Sequence, residues 1–453
     1  MRKTKQKHIY QLFFTLGVIG LQGFTGAFGQ EGWTLEKCIQ YGLENNISIK
    51  QSELDAQISE GDVKQAKGSF LPTVSGNIYG SFTSGQYYNS VTYDPVNGQQ
   101  TSANFSIDGN LPLYTGNQRT NILEYYKLNL QSRLKEIEKA KNDIALNIAS
   151  AYLQVLYYKE MLATAENQLS LTQIQVERIQ KLVEAGSVPE GNLSEIKAQY
   201  ASDKMQVVDA QNNLNISTLN LTQLLEIKES GNFTVVAPEM LVPADSGSLG
   251  SVAEIYNQAI GFLPEIQSAQ ITADGTKYLL NYQKGAYYPS LVLGSRIYTQ
   301  YSKLSNTNAV NTSFNTQFKD NAYRSIYLSL NIPIFNNFKT SNAVNTARIN
   351  SIKAENQLEI VRKNVYKEIQ QAYNNAISAW NKLQSSLEAQ KAYAVAFRYA
   401  SQKFEAGASN IVEYNTAKTN LTKVESELLQ AKYEYVFRTK ILDFYRGKQI
   451  TLN

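Results

Sequence analysis

The sequence predicts a mostly α-helical fold that carries membrane β-strands, on three observations. Residues 117–184 hold apolar side chains at heptad spacing, with no proline until Pro189. Short segments of apolar and polar alternation precede that stretch and end at proline. The whole order of segments then recurs at a spacing of 221 residues.

Residues 1–29 read as a Sec-type signal peptide. Arg2, Lys3, Lys5 and Lys7 form its positive start, Leu12 to Leu21 its apolar centre, and Ala27-Phe28-Gly29 a small-residue cleavage site. The leader takes four basic residues and no acidic ones, so its removal leaves 39 charges of each sign and no nucleic-acid footprint. It also takes the single histidine, His8. Serine–histidine, cysteine–histidine and histidine-based zinc chemistry are therefore excluded, and no metal or cofactor is expected. The single cysteine, Cys38, shares a helical spacing with Leu35, Ile39 and Leu43 and is expected in the core. No apolar run reaches 18 residues, so membrane crossing is left to strands.

The first repeat spans 30–228. A helix covers 33–68, with an interruption at Asn45-Asn46, and Pro72 closes it. A strand at 73–83 places Val74, Gly76, Ile78, Gly80 and Phe82 on one face. A polar loop with the turn signal Asn97-Gly98 leads to a second strand at 104–113. The long helix at 117–184 follows. Its seam runs through Leu123, Leu130, Ile137, Ile144, Ala151, Tyr158, Ala165, Thr172 and Ile179, and through Lys127, Leu134, Lys141, Ile148, Val155, Leu162, Leu169, Val176 and Val183. Only Lys127, Lys141 and Thr172 break it, and a strict 3.5-residue repeat of this length implies supercoiling against neighbouring helices. Ala185-Gly186-Ser187 then turns the chain into a return helix at 189–225.

A link at 229–250, with a β-like run at 233–236, leads to the second repeat at 251–447. Its elements are a helix at 252–285, strands at 291–301 and 323–334, a long helix at 337–405 and a return helix at 409–447, before a tail at 448–453. Pro112 and Pro333 are 221 residues apart, as are Gly186 and Gly407, whereas Pro72 and Pro289 are 217 apart. The four-residue difference falls in the intervening hairpin, where length change is tolerated. The second long helix keeps its seam more weakly, with alanine at many positions.

The strands have the length and alternation of outer-membrane strands. Ile326, Leu328, Leu330, Ile332 and Ile334 form a lipid-type face, while Phe70, Tyr114, Tyr287, Tyr288 and Phe335 gather at one end as an interfacial girdle. Four strands cannot close, and lipid does not tolerate an open edge. Two copies would give eight strands with a filled interior, and three would give twelve with an opening. The fold class expected is thus two repeats of long antiparallel helices, each with a two-stranded β-hairpin, assembling as a trimeric 12-stranded β-barrel continued by a helical barrel. On the polar faces, Asp108, Arg296, Tyr298 and Gln300 are candidate lumen-lining residues.

The segment order resembles that of the TolC-like outer-membrane efflux proteins. Phe70-Leu71-Pro72, Tyr288-Pro289, the run from Leu111 to Gly116, the run from Ile332 to Phe335 and the two Glu-Ala-Gly turns carry the resemblance over the whole mature chain. It implies a homotrimeric outer-membrane exit duct without enzymatic activity. The helical barrel would lie in the periplasm and dock on a periplasmic adaptor served by an inner-membrane pump, passing small molecules or polypeptides. The turns Ala185-Gly186-Ser187 and Ala406-Gly407-Ala408 match the adaptor-facing tips, and glycine there also serves helix termination. Glu413 matches the first of two acidic residues that narrow the family's periplasmic entrance, but Thr416 stands at the second; Asn192 and Glu195 are the first repeat's counterparts. Threefold rings of Glu413 and Glu195 would favour cations, and a solvated helix surface is the other reading of both. A periplasmic coiled-coil adaptor or structural protein is the alternative function. A carboxylate hydrolase finds no convergent pair of acids.

Overall fold

The computed structural model describes residues 32–88, 94–228, 233–237, 250–305 and 311–451. The expected leader, most of the 229–250 link and the end of the tail lie outside these residues. The elements are α1 (Leu35–Asn45), α2 (Ile47–Gly68), β1 (Thr73–Tyr88), β2 (Pro95–Thr115), α3 (Gln118–Glu184) and α4 (Glu190–Leu224). Then follow α5 (Val252–Ala259), α6 (Pro264–Gly285), β3 (Ser290–Ser305), α7 (Phe314–Asp320), β4 (Tyr323–Asn331), α8 (Lys339–Glu405) and α9 (Ile411–Tyr445). Helices α3 and α8 have 67 residues each, a rise of about 100 Å.

Both ends of α8 and α9 fall 221 residues after those of α3 and α4. The strand-to-helix junctions recur at the same spacing. Gly116 and Asn117 both hold φ 61°, and Asn337 and Phe338 hold φ 53° and 62°. Successive left-handed residues swing the chain sharply out of the sheet. Because Asn117 and Phe338 are left-handed, the long helices begin after the expected starts at 117 and 337.

The shorter helices break where local chemistry demands it. Asn46, extended at ψ 130°, accepts from the Ser48 N–H at 2.9 Å and donates to the Leu224 carbonyl at 3.1 Å, which pins the α1–α2 bend against the end of α4. The expectation of one helix over 252–285 is corrected. Pro264, which has no N–H to continue a ladder, opens α6 after the extended Leu263.

One antiparallel sheet has the order β1-β2-β3-β4. Its strands are longer at the loop end than the alternation indicates, since β1 continues to Tyr88 and β2 begins at Pro95. The turn signal Asn97-Gly98 is inside β2, where Gly98 faces Gly85. β4, by contrast, stops at Asn331, short of the expected end at 334. The polar loop before it contains α7, which the composition did not reveal, capped by the Ser313 side chain on the Thr316 N–H.

Burial follows the seam in part. Ile144, Ile148, Val155, Ala165, Thr172 and Ile179 are buried, while Leu134 is 48% exposed. In α8 the buried stripe includes Ala347, Ala372, Ala376 and Ala379, so its alanines mark close helix approach. The largest core joins Leu35, Cys38 and Ile49 to Ile148, Tyr152 and Leu156 of α3 and to Leu221, Tyr433 and Val436. Burial pushes the Cys38 thiol up to about 12, leaving it an inert core group. A parallel bridge from Trp33 to Val235 returns the link to this core, and the Tyr152 hydroxyl lies 2.9 Å from the Trp33 carbonyl. Ile148→Ala is expected to cost about 2–5 kcal/mol, read as a lowered denaturation midpoint of the detergent-solubilised protein.

Candidate functional site

The helical end of the molecule is a pair of adjacent tips. Each is a complete glycine-terminated turn: Ser187 N–H donates to the Leu182 carbonyl at 2.8 Å and Gly186 N–H to Val183 at 2.9 Å. Ala408 and Gly407 repeat this on Lys403 and Phe404 at 2.8 and 3.1 Å. Gly186 at φ 68° and Gly407 at φ 72° occupy the left-handed position that makes the turn possible. Ala185, Gly186, Ser187, Ala406, Gly407 and Ala408 are all exposed. Below them Ile179, Ile196, Ile411 and Tyr414 form one apolar cluster, and Arg178 lies 3.8 Å from Glu405, so the two hairpins present their tips side by side.

The candidate entrance residues separate into two groups. Glu195 and Thr416 line one shallow groove of ≈ 560 Å³ between α4 and α9, with Val412, Asn415 and Thr419. Glu413 turns instead toward α8, where its carboxylate lies 3.3 Å from Lys403 Nζ while its N–H is capped by Asn410 at 2.9 Å. Thr416 spends its hydroxyl on the Val412 carbonyl at 2.8 Å, and Asn192 is half-buried in the first turn of α4. The pair Glu195–Thr416 is thus brought together by the fold, whereas Glu413 is tied across its own hairpin.

At the sheet, Asp108 and Arg296 are direct cross-strand partners. Arg296 Nε donates to the Asp108 carboxylate at 2.5 Å, and Ser106 and Asn77 donate to its other oxygen at 2.8 and 3.2 Å. The Asp108 side chain is only 15% exposed under these donors. Tyr298, two residues along, places its hydroxyl 3.0 Å from Asn104 Oδ1 and 3.2 Å from Gln300 Oε1. The polar face is therefore a connected layer rather than isolated charges.

A further cluster went unrecognised in the sequence. Thr172, which breaks the α3 seam, is buried against Asp203 of α4 and Lys418 of α9, both also buried. Lys418 Nζ lies 3.1 Å from Asp203 Oδ2 and donates to the Thr172 hydroxyl; that hydroxyl bonds Asp203, and Gln199 donates to the remaining carboxylate oxygen at 2.7 Å. Burial pushes the Lys418 ammonium below the usual lysine value, and Asp203 holds it up. A polar residue inside an apolar seam was the available signal, but its partners sit on two other helices. Among the described residues no group of three or more His, Cys, Asp or Glu side chains is placed to hold a metal ion.

Comparison with known proteins bears on this arrangement. A family model described as outer membrane efflux protein matches residues 38–226 and 255–444, one match for each repeat. The outer membrane protein TolC of Escherichia coli (strain K12) is 22% identical over 437 residues, covering 92% of this chain and 82% of that protein. The outer membrane efflux protein BepC of Brucella suis biovar 1 is 19% identical over 407 residues, covering 89% and 83%. Among solved structures, CusC superposes with a TM-score of 0.75 at 17% identity over 92% of each chain. The open MtrE outer membrane channel of Neisseria gonorrhoeae gives 0.73 at 16% identity, covering 92% of this chain and 90% of that one.

The buried Lys418–Asp203 pair makes a direct prediction. Removing one partner leaves an uncompensated buried charge, so Lys418→Met or Asp203→Leu alone is expected to cost about 3–5 kcal/mol. The double variant should cost well under the sum of the two. Thermal unfolding of all three beside the parent protein measures the coupling.

Proposed function

The chain belongs to the outer membrane efflux protein family, and we propose that three copies assemble into a 12-stranded barrel in the outer membrane, continued through the periplasm by a helical barrel. The protein is an outer-membrane exit duct and not an enzyme. One observation carries the trimer reading: among the described residues β1 pairs only with β2 and β4 only with β3, which leaves two free edges beside an uncovered apolar face. Lipid offers no hydrogen bonds to those edges, so the sheet has to close on further copies. Eight strands would fill their own interior, and twelve leave room for passage.

In this assembly the tips Ala185 to Ser187 and Ala406 to Ala408 dock a periplasmic adaptor, itself served by an inner-membrane pump, and the cargo is small molecules or polypeptides. The exposed, open backbone around Gly186 and Gly407 supports that docking role, since a Cβ at either would meet nothing within 4 Å. Glu195, Thr416, Asn192 and Glu413 narrow the periplasmic entrance, and Asp108, Arg296 and Tyr298 line the barrel lumen. The polar network on that sheet face supports the lining role. The coiled-coil adaptor alternative loses its footing, because the family matched is one of outer-membrane ducts.

Deletion of the protein is expected to raise dye accumulation or abolish export of a secreted polypeptide in the parent cell; unchanged handling across a broad panel would sink the duct role. In planar bilayers, Glu195→Gln with Glu413→Gln is expected to lower the cation-to-anion permeability ratio. An unchanged ratio would remove both from the conducting path. Ser187→Tyr with Ala408→Tyr should insert normally into the outer membrane yet fail to co-purify with an adaptor.

A further inference from the structure

The top of the sheet is finished by side chains in place of a strand. β4 pairs with β3 only as far as Tyr323, opposite Tyr298, so β3 continues from Thr299 to Ser305 without a strand on its outer edge. The segment carrying α7 covers that edge. Asn321 donates to the Gln300 carbonyl at 2.9 Å, and the Gln317 amide both accepts from the Ser302 N–H and donates to its carbonyl at 2.9 Å. Asn311 does the same for Leu304 at 2.8 and 2.6 Å. Residues 300, 302 and 304 are the alternate positions whose backbone groups point outward, so three amides replace a ladder.

This stitching lays α7 on a defined face. Phe314 and Phe318 stack at 5.6 Å and meet Phe105 edge-on at 6.1 and 5.4 Å, while the Thr299 hydroxyl donates to the Phe318 carbonyl at 2.8 Å. Phe105 pairs with Thr299 on one side and Ile78 on the other, and therefore belongs to the apolar face, opposite to Asp108 and Arg296. On the outer-membrane reading that face is the outside of the barrel. The nine residues of β4 are enough to cross a bilayer when tilted, so the Tyr298–Tyr323 rung lies at the outer interface, and α7, bonded to Thr299 through the Phe318 carbonyl, sits at that same interface.

The charges agree with that height. Arg324, opposite Ile297, projects from the apolar face one rung inside, where an arginine is tolerated only near the interface. Lys319 is exposed next to Phe318, and neither Arg324 nor Lys319 has a hydrogen-bond or ion-pair partner among the described residues; Lys303 lies six positions beyond Ile297 on β3, about 20 Å farther out. Asp320 is the only acid between residues 299 and 324. Phe314 and Phe318 remain 44% and 40% exposed beside them.

We propose that α7, with Lys319 and Arg324, is an outer-leaflet anchor, a reading that rests on the outer-membrane assignment. Its two phenylalanines enter the upper acyl region, continuing the apolar face of the sheet. Its two cations engage the phosphates of anionic outer-leaflet lipid, the chemistry complementary to an unpaired basic pair at the interface.

The test uses the full chain reconstituted in vesicles of zwitterionic lipid, with or without lipid carrying a terminal phosphate. Phe318→Trp adds an indole on α7, far along the chain from Trp33 and Trp380, and the difference from the parent protein isolates its emission. Brominated acyl chains are expected to quench it and aqueous acrylamide to leave it largely unaffected. Quenching by acrylamide alone, in a protein that still inserts, overturns the anchor but spares the duct. Failure to insert overturns both. The Lys319→Gln/Arg324→Gln variant is expected to lose roughly fivefold or more of its preference for phosphate-bearing lipid; an unchanged preference removes the cations' role.

Discussion

The constraint on which the structure depends is that a strand edge in lipid has no solvent to satisfy it. Every backbone N–H and C=O at bilayer depth must be paired within protein. A sheet of four strands with two free edges is therefore incomplete by this rule, and in the proposed assembly each chain contributes one sector of the wall. A free edge is also closed within the chain, outward of the membrane-crossing rungs. Where β4 stops and β3 continues, the edge is closed by Asn311, Gln317 and Asn321, whose amides carry both a donor and an acceptor. Glutamine and asparagine in a loop thus serve the same requirement as a strand.

The helical part obeys a different constraint, that of two rods held together along about 100 Å. Apolar burial is greatest where the short helices and the link converge on α3, and the small residues of α8 let helices approach where large ones would hold them apart. Toward the tips the cores become small, and Ile179, Ile196, Ile411 and Tyr414 carry the contact between hairpins. Adding the Lys418–Asp203–Thr172 network seven residues farther from the tips specifies register more than it adds stability, since a buried pair recovers in Coulomb attraction much of what it loses in hydration.

How far each element could be read in the sequence follows from which solvent it meets. The long helices and the inner halves of the strands face an apolar partner on one side only, and their periodicity shows it. The extensions of β1 and β2 toward Tyr88 and Pro95 meet water on both faces, so Thr, Ser, Gln and Gly fill them and the alternation vanishes. Helix α7 is invisible because seven residues give no helical period, and the side chains in it that meet the sheet, Phe314, Gln317 and Phe318, mix apolar and polar types. Asp108 and Arg296 were both placed on the polar face, but their pairing needed the register, which the four-residue length difference between hairpins obscures. The sequence alone shows no partner for Glu413, because Lys403, ten residues earlier, comes within reach only when the tip folds back.

The repeat gives the buried network its meaning. A shift of 221 residues carries Lys418 onto Lys197, Asp203 onto Val424 and Thr172 onto Tyr393. Lys197 is exposed in the single chain, and the positions it would reach on a neighbouring second repeat hold an aliphatic and an aromatic side chain instead of a carboxylate and a hydroxyl. In the proposed ring of six hairpins, the seam inside each chain is therefore closed by a buried ion pair, and the seam between chains is not. Two interfaces built from duplicated helices then differ in what separation costs. Opening within a chain exposes a charge pair with its hydrogen bonds already committed, while opening between chains parts side chains that hold no such pair. At Lys418 the two kinds of seam in the proposed ring are therefore chemically distinct, and six equivalent hairpins reduce to three pairs.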